Sequence, residues 1–347
     1  MRALTISAQG GHDRIECRDD VPSPALALAT DVRVRVTAAS LNHLDLFVVA
    51  GLPGVTITPP WILGSDAVGV IDAVGSGVTQ VNVGDRVVLN PGIGCGSCEY
   101  CAMGEHPLCV KFAVLGEHRP GTFAEQVVVP ATHVARIPAS IPDDVAAAFP
   151  LATLTAWRML ITRAGVRADD LVLIQGIGSP VALAALQIAK SRGATVWVTS
   201  SSDAKLTQAR ALGADDTINY KVQDVAREVR ARTGKRGATV VVDNSGAASW
   251  KASLGALGRR GRLVTCGATT GPIVETDVRR LFWNQWSILG STMGSEQEFT
   301  AMVAEVAAGR LTMPVDSVFP IERGREAFDR VASGKHFGKV VIQVKAG

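Results

Sequence analysis

Two hydrophobic rhythms follow one another along the chain. Val32–Ala38, VRVRVTA, alternates strictly, as a strand with one buried face should. MRALTIS at the start, ILGSDAVGVIDAV over 62–74 and VNVGDRVVL over 81–89 read as further β-structure, with Gly84-Asp85 as a hairpin turn. The β pattern returns from Phe112 to Ile137, and Pro138 and Pro142 mark a connector. Asp143-Asp144 then predict a helix start, since acidic groups suit the positive end of a helix dipole. Helical spacing follows over Ala146–Ala148 and Thr155–Arg163. Beyond that point short apolar runs alternate with helical stretches. Leu171–Ile174, Thr195–Thr199, Thr217–Tyr220, Thr239–Asp243, Arg262–Cys266 and Trp286–Gly290 predict strands; Pro180–Ser191, Lys205–Leu212 and Val222–Arg232 predict helices. Such alternation predicts a parallel, doubly wound sheet. A helix over Glu296–Ala308 leads away from that sheet, and a last strand, Gly338–Val344, is expected to return to the N-terminal β domain. The expected division is residues 1–150, completed by 311–347, and residues 151–310.

The first parallel strand breaks into a turn at Gly176, Gly178 and Ser179, and Pro180 suits the first helical position that follows. Unpaired N–H groups at a helix start favour a phosphate, so this turn is a candidate pyrophosphate site. The glycine pattern alone is weak. Val181 stands where a third glycine belongs, and sliding the register by one puts Ala182 there instead. An ordinary strand–helix turn would look similar.

At 347 residues the chain is long enough for two domains with their own cores. Apolar residues make up 47% and aromatics 5%, which suits an α/β enzyme. A net charge of +3 gives no reason to invoke nucleic acid or an anionic membrane. No apolar run reaches the ~18 residues of a membrane span and no signal-peptide core is visible, so the cytoplasm is expected.

Four of the six cysteines crowd together as Cys95, Cys98, Cys101 and Cys109, on a loop loosened by Gly94 and Gly96. Four thiolates at this spacing can close a tetrahedron around Zn²⁺ with no position left for water, which makes the metal structural. Free thiols or two disulfides are the other readings; a reducing compartment disfavours the second.

ASLNHLD (39–45), LGSDAVGVIDAVGSGV (63–78), VGDRVV (83–88), the cysteine lobe, GTFAEQVVVP (121–130), LTAW (154–157) and FGKVV (337–341) together resemble the medium-chain dehydrogenase/reductase superfamily. The resemblance covers nearly the whole chain. It implies an α/β protein, with a GroES-like N-terminal β domain and a Rossmann domain built on a doubly wound parallel sheet. The superfamily includes zinc alcohol dehydrogenases and quinone oxidoreductases. Zinc alcohol dehydrogenases carry catalytic-metal ligands at positions that here hold Asn42, Ser65-Asp66 and Leu151. Asp66 alone cannot replace them, because a catalytic zinc needs three protein ligands and an open site. His43 and His118 are the side chains left to serve such an ion by another route. The resemblance thus implies a retained structural zinc and a lost catalytic one. Without a Lewis acid an alcohol is hard to oxidise, whereas a conjugated C=C or a quinone accepts hydride more readily.

The same resemblance nominates the site residues. Asn42 would hydrogen-bond near the nicotinamide or the substrate oxygen; Asp45, Ser65, Asp66 and His118 are polar groups in segments that face the family's cleft. His43 and Lys339 match positions that approach the pyrophosphate, and Thr155 is expected at the carboxamide. Gly178, Ser179, Pro180 and Val181 form the phosphate turn, and Asn244, Gly267 and Ala268 end sheet strands at the carboxyl edge. An acid at the end of the second strand would bind a ribose hydroxyl and repel a 2′-phosphate. Ser200 stands there, followed by Ser201 and Ser202, with Lys205 beyond and Tyr220 aligned with a residue that contacts the phosphate in similar reductases. NADPH is therefore expected, with NADH possible and Asp203 as the contrary sign. Trp61, Phe282, Trp283 and Trp286 belong to an apolar pocket, a dimer face or the core. The expected protein is an NADPH-dependent enone or quinone reductase with a small-molecule substrate, a homodimer or homotetramer joined near Leu289–Met293. An alcohol or aldehyde dehydrogenase with unusual ligands and a regulatory NADPH-binding protein without turnover are the alternatives.

Overall fold

The alternation at Val32–Ala38 is realised in Asp31–Ser40, the strand around which the N-terminal half is built. In the computed structural model, which describes residues 1–344, the chain forms two units. One comprises Met1–Leu151 together with the chain from Gly294 onward, and the other Ala152–Met293.

In the first unit, Asp31–Ser40 pairs antiparallel with Asp66–Val74, Gln126–Pro130 and Lys339–Gln343. The sheet extends through Arg86–Leu89 to Val134–Arg136 on one side and to Val315–Pro320 on the other. Its alternate residues Val32, Val34 and Val36 enter a core with Leu4, Ile6, Ile71, Val87, Phe123, Phe328 and Ile342. The last strand does return to this unit. Lys339 starts it because Gly338 turns the chain sharply at φ +101. A side chain at Gly338 would stand 2.1 Å from the Pro314 carbonyl, which also accepts the Lys339 N–H.

Helix Glu296–Ala307, expected within residues 151–310, falls in the first unit instead. Its first residue faces two histidines of that unit. Glu296 Oε1 lies 3.6 Å from Nε2 of both His106 and His133. Burial drives His133 down to about 4, so at neutral pH the carboxylate faces an uncharged imidazole there.

The second unit is a six-stranded, wholly parallel sheet. Its order is Asp216–Asn219, Thr195–Ser200, Leu171–Ile174, Ala238–Asp243, Leu257–Thr265 and Ser287–Gly290. The chain starts in the middle, runs outward to one edge, then returns and runs to the other. This is the doubly wound Rossmann order, and its reversal lies where Leu171–Ile174 meets Ala238–Asp243. Helix Pro180–Ser191 has the bounds the apolar pattern predicts. The expected helix over Thr155–Arg163 begins earlier, at Pro150, and loosens to π-type turns from Arg158. No helix among the described residues is long and apolar enough to cross a membrane.

Gly338→Ala should cost about 2 kcal/mol or more, since a left-handed backbone and a clash with a carbonyl act together. Urea unfolding reads the loss; an unchanged midpoint would mean that the turn relaxes freely.

Candidate active site

Three neighbouring strands bring the polar chemistry of the first unit together. Val341 lies opposite Ser40, so the antiparallel register carried two residues further sets Lys339 against Asn42. Ser40 faces Asp66 on its other side. Asn42 is the N-cap of helix His43–Ala50, and its N–H donates to the Asp45 carboxylate at 2.7 Å. Lys339 Nζ donates to Asn42 Oδ1 and to Asp66 Oδ2, each at 2.7 Å. The same Asp66 oxygen accepts from Asn42 Nδ2 at 2.9 Å and from Ser40 Oγ at 3.2 Å. Its second oxygen accepts the Leu151 N–H at 2.7 Å. Asp66 and Lys339 are both 0% exposed, so the two charges answer each other without water.

Asp45 is buried beside them. Burial pushes its carboxyl up to about 7, although the Asn42 N–H and the Lys339 charge pull it down. Ser65 is buried too, but its hydroxyl donates to the Leu115 carbonyl at 2.7 Å. His118 is exposed; its Nδ1 accepts the Val114 N–H at 3.3 Å. His43 is exposed, its ring 6.4 Å from that of His336. Of the five residues expected to be catalytic, Asn42, Asp45 and Asp66 gather, while Ser65 and His118 are occupied elsewhere.

Lys339, which the sequence reading grouped with the cofactor-binding residues, is turned to Asn42 and Asp66 here. A charge without access to water has to be met inside the protein, and Asp66 meets it. Ser40, which the sequence reading did not single out, and the Leu151 N–H complete the cluster. Of the positions that the resemblance assigns to catalytic-zinc ligands, Asn42, Asp66 and Leu151 are brought together, but their chemistry does not fit a divalent cation. Asp66 is saturated with donors, Leu151 supplies an N–H, and an ammonium holds the place between Asn42 and Asp66.

The cysteine lobe does fit a metal. The Sγ atoms of Cys95, Cys98, Cys101 and Cys109 all lie within 4.8 Å of one another. Antiparallel pairs Gly92–Val114 and Ile93–Ala113 close its base. Cys109 Sγ faces the N–H groups of Cys95 and Lys111 at 3.2 and 3.3 Å. Donation from Ser97 draws Cys95 down to about 5, whereas burial holds Cys101 high. All four are free thiols. Four sulfurs with amide donors around them suit a closed tetrahedral zinc, whose charge would deprotonate the remaining thiols.

In the second unit the phosphate turn follows Leu171–Ile174, with Gly176 and Gly178 at φ +68 and +112. A Cβ on Gly178 would stand 2.9 Å from Lys205 Cδ, so Lys205 lies along this glycine. Ser179 caps helix Pro180–Ser191, and Asn244 Nδ2 reaches its Oγ at 3.2 Å across the sheet's reversal. Gly267 and Ala268 lie close to Asn244 and Gly246. Pro180 and Val181 form the first turn of the helix, and Thr155 is buried on helix Pro150–Trp157. Apart from Thr155, these groups gather at the carboxyl ends of the strands, where open α/β sheets bind ligands.

The ribose side of the turn is tied into the backbone. Ser200 Oγ accepts the Ser202 N–H at 3.2 Å, and its carbonyl accepts the Tyr220 N–H at 3.1 Å. Ser201 is half-buried and Tyr220 exposed. Asp203 Oδ1 accepts from Asn219 Nδ2 at 2.7 Å. Of the aromatic group, Trp286 is a core residue whose Nε1 donates to the Gly258 carbonyl, while Phe282 and Trp283 are exposed. Trp61 is half-buried and donates to the Gly116 carbonyl.

Comparison with known proteins identifies the family. Residues 29–139 match the alcohol dehydrogenase GroES-like domain, and residues 180–308 the zinc-binding dehydrogenase family. An alcohol dehydrogenase of Geobacillus stearothermophilus is 33% identical over 94% of this chain and 95% of its own length. An L-threonine 3-dehydrogenase of Anaeromyxobacter sp. (strain Fw109-5) is 33% identical over 99% of both chains. The crystal structure of an NAD-dependent alcohol dehydrogenase superposes with a TM-score of 0.96 at 43% identity, over 99% of this chain and 100% of the other.

Lys339→Met should destabilise the protein by about 3 kcal/mol, because it leaves the Asp66 carboxylate buried and unpaired. Adding Asp66→Leu should recover part of that loss in a double-mutant cycle; strictly additive unfolding energies would show that the pair is not coupled.

Asp45 generates a pH dependence with a definite sign. Its folded value, about 7, lies above the ordinary aspartate value of 3.8, so folding favours its protonated form. That contribution is complete below about pH 4 and is lost as the pH rises through about 7. Between pH 5 and pH 8 the urea midpoint of the wild type should fall relative to that of Asp45→Asn. Parallel pH profiles would contradict it.

Proposed function

The chain belongs to the medium-chain dehydrogenase/reductase superfamily and is an oxidoreductase of that kind, and from this premise we propose that it uses NADPH to reduce a conjugated C=C or a quinone without a catalytic zinc. The observation that carries the reading is the closed Lys339–Asp66–Asn42 cluster, whose hydrogen bonds are completed by an ammonium. A reduced nicotinamide, when bound, supplies a hydride. With no Lewis acid to draw electrons from the reacting oxygen, the acceptor must already be electron-poor. Asn42 contributes a carboxamide of fixed orientation, its Oδ1 held by the ammonium and its Nδ2 by the carboxylate. Asp45 holds and releases a proton near neutral pH, the property a general acid needs, although its burial requires any transfer to be relayed.

NADPH is supported by the missing acid at Ser200 and by Lys205 along the phosphate turn. Asp203 remains a negative charge nearby, but it is engaged by Asn219. The six-stranded sheet ends in Ser287–Gly290, an edge that would pair with a second copy; Phe282 and Trp283 precede it, exposed. A homodimer, or a tetramer of such dimers, follows as part of the proposal. The second reading is alcohol oxidation, which the 43% identical NAD-dependent alcohol dehydrogenase favours. It requires a second metal site.

Metal analysis of the purified protein should find about one zinc per chain, where a catalytic site would raise it to about two. The same preparation should oxidise NADPH with quinones or enones and fail to reduce NAD⁺ with ethanol or threonine. About two zincs with alcohol turnover would establish the second reading. Tight NADPH binding without consumption across quinones, enones and enoyl thioesters would point to a regulatory protein instead.

A further inference from the structure

We propose that Gln175 is a positioning residue for the dinucleotide pyrophosphate, acting through a one-way hydrogen-bond relay that ends on buried Asp243; this rests on the reading that the Gly176–Val181 turn holds that pyrophosphate. The relay crosses three strands of the second unit. Gly176 N–H donates to Thr199 Oγ1 at 3.1 Å, and the Thr199 hydroxyl donates to Gln175 Oε1 at 2.7 Å. Gln175 Nε2 donates to Ser253 Oγ at 3.0 Å, and Ser253 donates to Asp243 Oδ2 at 2.7 Å. Gln175, Thr199, Ser253 and Asp243 are all buried.

Its direction is forced by chemistry. An amide N–H at Gly176 can only donate, and an ionised carboxylate at Asp243 can only accept. The two hydroxyls and the carboxamide between them each accept on one side and donate on the other. The Gln175 carboxamide does both with one uncharged group: its Oε1 accepts from the Thr199 hydroxyl and its Nε2 donates to Ser253. Asp243 anchors the far end firmly, for it also accepts Ser249 Oγ at 2.7 Å and the N–H groups of Ser245 and Gly246 at 2.9 and 3.1 Å.

The near end of the relay is the first peptide of the phosphate turn. Gln175 N–H and Ile177 N–H fix the same stretch to the Val242 and Thr199 carbonyls at 3.0 and 2.7 Å. At the other end of the turn Asn244, the neighbour of Asp243, holds Ser179. The end of strand Ala238–Asp243 thus governs both sides of the turn, one through the relay and one directly. Gly176 sits in a left-handed conformation that this clamp maintains. Loss of the relay frees a peptide next to the expected phosphate, without removing any group expected to touch adenine or nicotinamide.

The test compares Gln175→Leu and Ser253→Ala with the wild-type, zinc-loaded full chain. Dissociation constants are measured for ADP-ribose, which carries the pyrophosphate, and by NMR titration for adenosine, which carries no phosphate. Gln175→Leu should weaken ADP-ribose about tenfold, the equivalent of one lost hydrogen bond, and leave adenosine within about twofold. Ser253→Ala should act in the same direction with a smaller effect, and it decides the matter if Gln175→Leu does not fold. Unchanged ADP-ribose binding, or an equal loss for both ligands, would overturn the proposal. A wild-type protein that binds ADP-ribose no better than adenosine would instead remove the pyrophosphate from this turn, a separate failure.

Discussion

A lysine with no exposure to water is the constraint on which the first unit depends. Lys339 brings a full positive charge into a sheet, and Asp66, with its own charge, stands two strands away to receive it. Removing either partner strands the other in a medium that cannot solvate it. The surrounding hydrogen bonds follow from this pairing. Asn42 is held between the two charges, Ser40 spends its hydroxyl on Asp66 and the Ala147 carbonyl, and Leu151 turns its N–H to the remaining carboxylate oxygen. Strand register, helix cap and chain direction are thereby fixed at one place.

That pairing also limits the chemistry the unit can perform. A Lewis acid at this position would need open carboxylate lone pairs and soft or imidazole donors. Here Asp66 already accepts four hydrogen bonds, and His43 and His118 are exposed. The cysteine lobe has no such conflict: its four sulfurs face one another and await a positive charge. The two metal positions of the family are separable because they solve different problems. One replaces a small core that the lobe cannot build; the other polarises a reacting oxygen.

How much of this was legible in the sequence depended on how far apart the partners lie. The cysteine lobe is local, so its spacing revealed it, whereas the glycine turn is local but weak and needed the strands and helix around it. Helix Pro180–Ser191 and the parallel strands were readable because their apolar periods are strong. The partner of Lys339 was not, since the ion pair joins residues 273 positions apart and each looks ordinary in its own segment. Helix Glu296–Ala307 follows the last parallel strand and reads as part of that domain, yet its first residue faces His106 and His133, far upstream in the chain. Gln175 drew no notice beside the glycines, because a single glutamine at a strand end carries no pattern. Only the sheet order, which sets Thr199 and Asp243 on either side of it, reveals what it joins.

The two units bury a carboxylate in two different ways, and the difference has consequences. Asp66 is met by an opposite charge, which is strong and tolerant of direction but imports a second ion that must itself be sheltered. Asp243 is met by neutral donors, namely the hydroxyls of Ser249 and Ser253 and the N–H groups of Ser245 and Gly246. Each of those bonds is weaker, but each has a direction, and direction can be handed on. Ser253 donates to the carboxylate and so must accept from Gln175; Gln175 then accepts from Thr199, and Thr199 from Gly176. An ion pair ends where its charges meet, whereas a polarised chain transmits the orientation of a buried anion to a backbone group several residues away. The first arrangement suits a site that must stay closed. The second suits a loop that must present its amides to a ligand in one fixed pose.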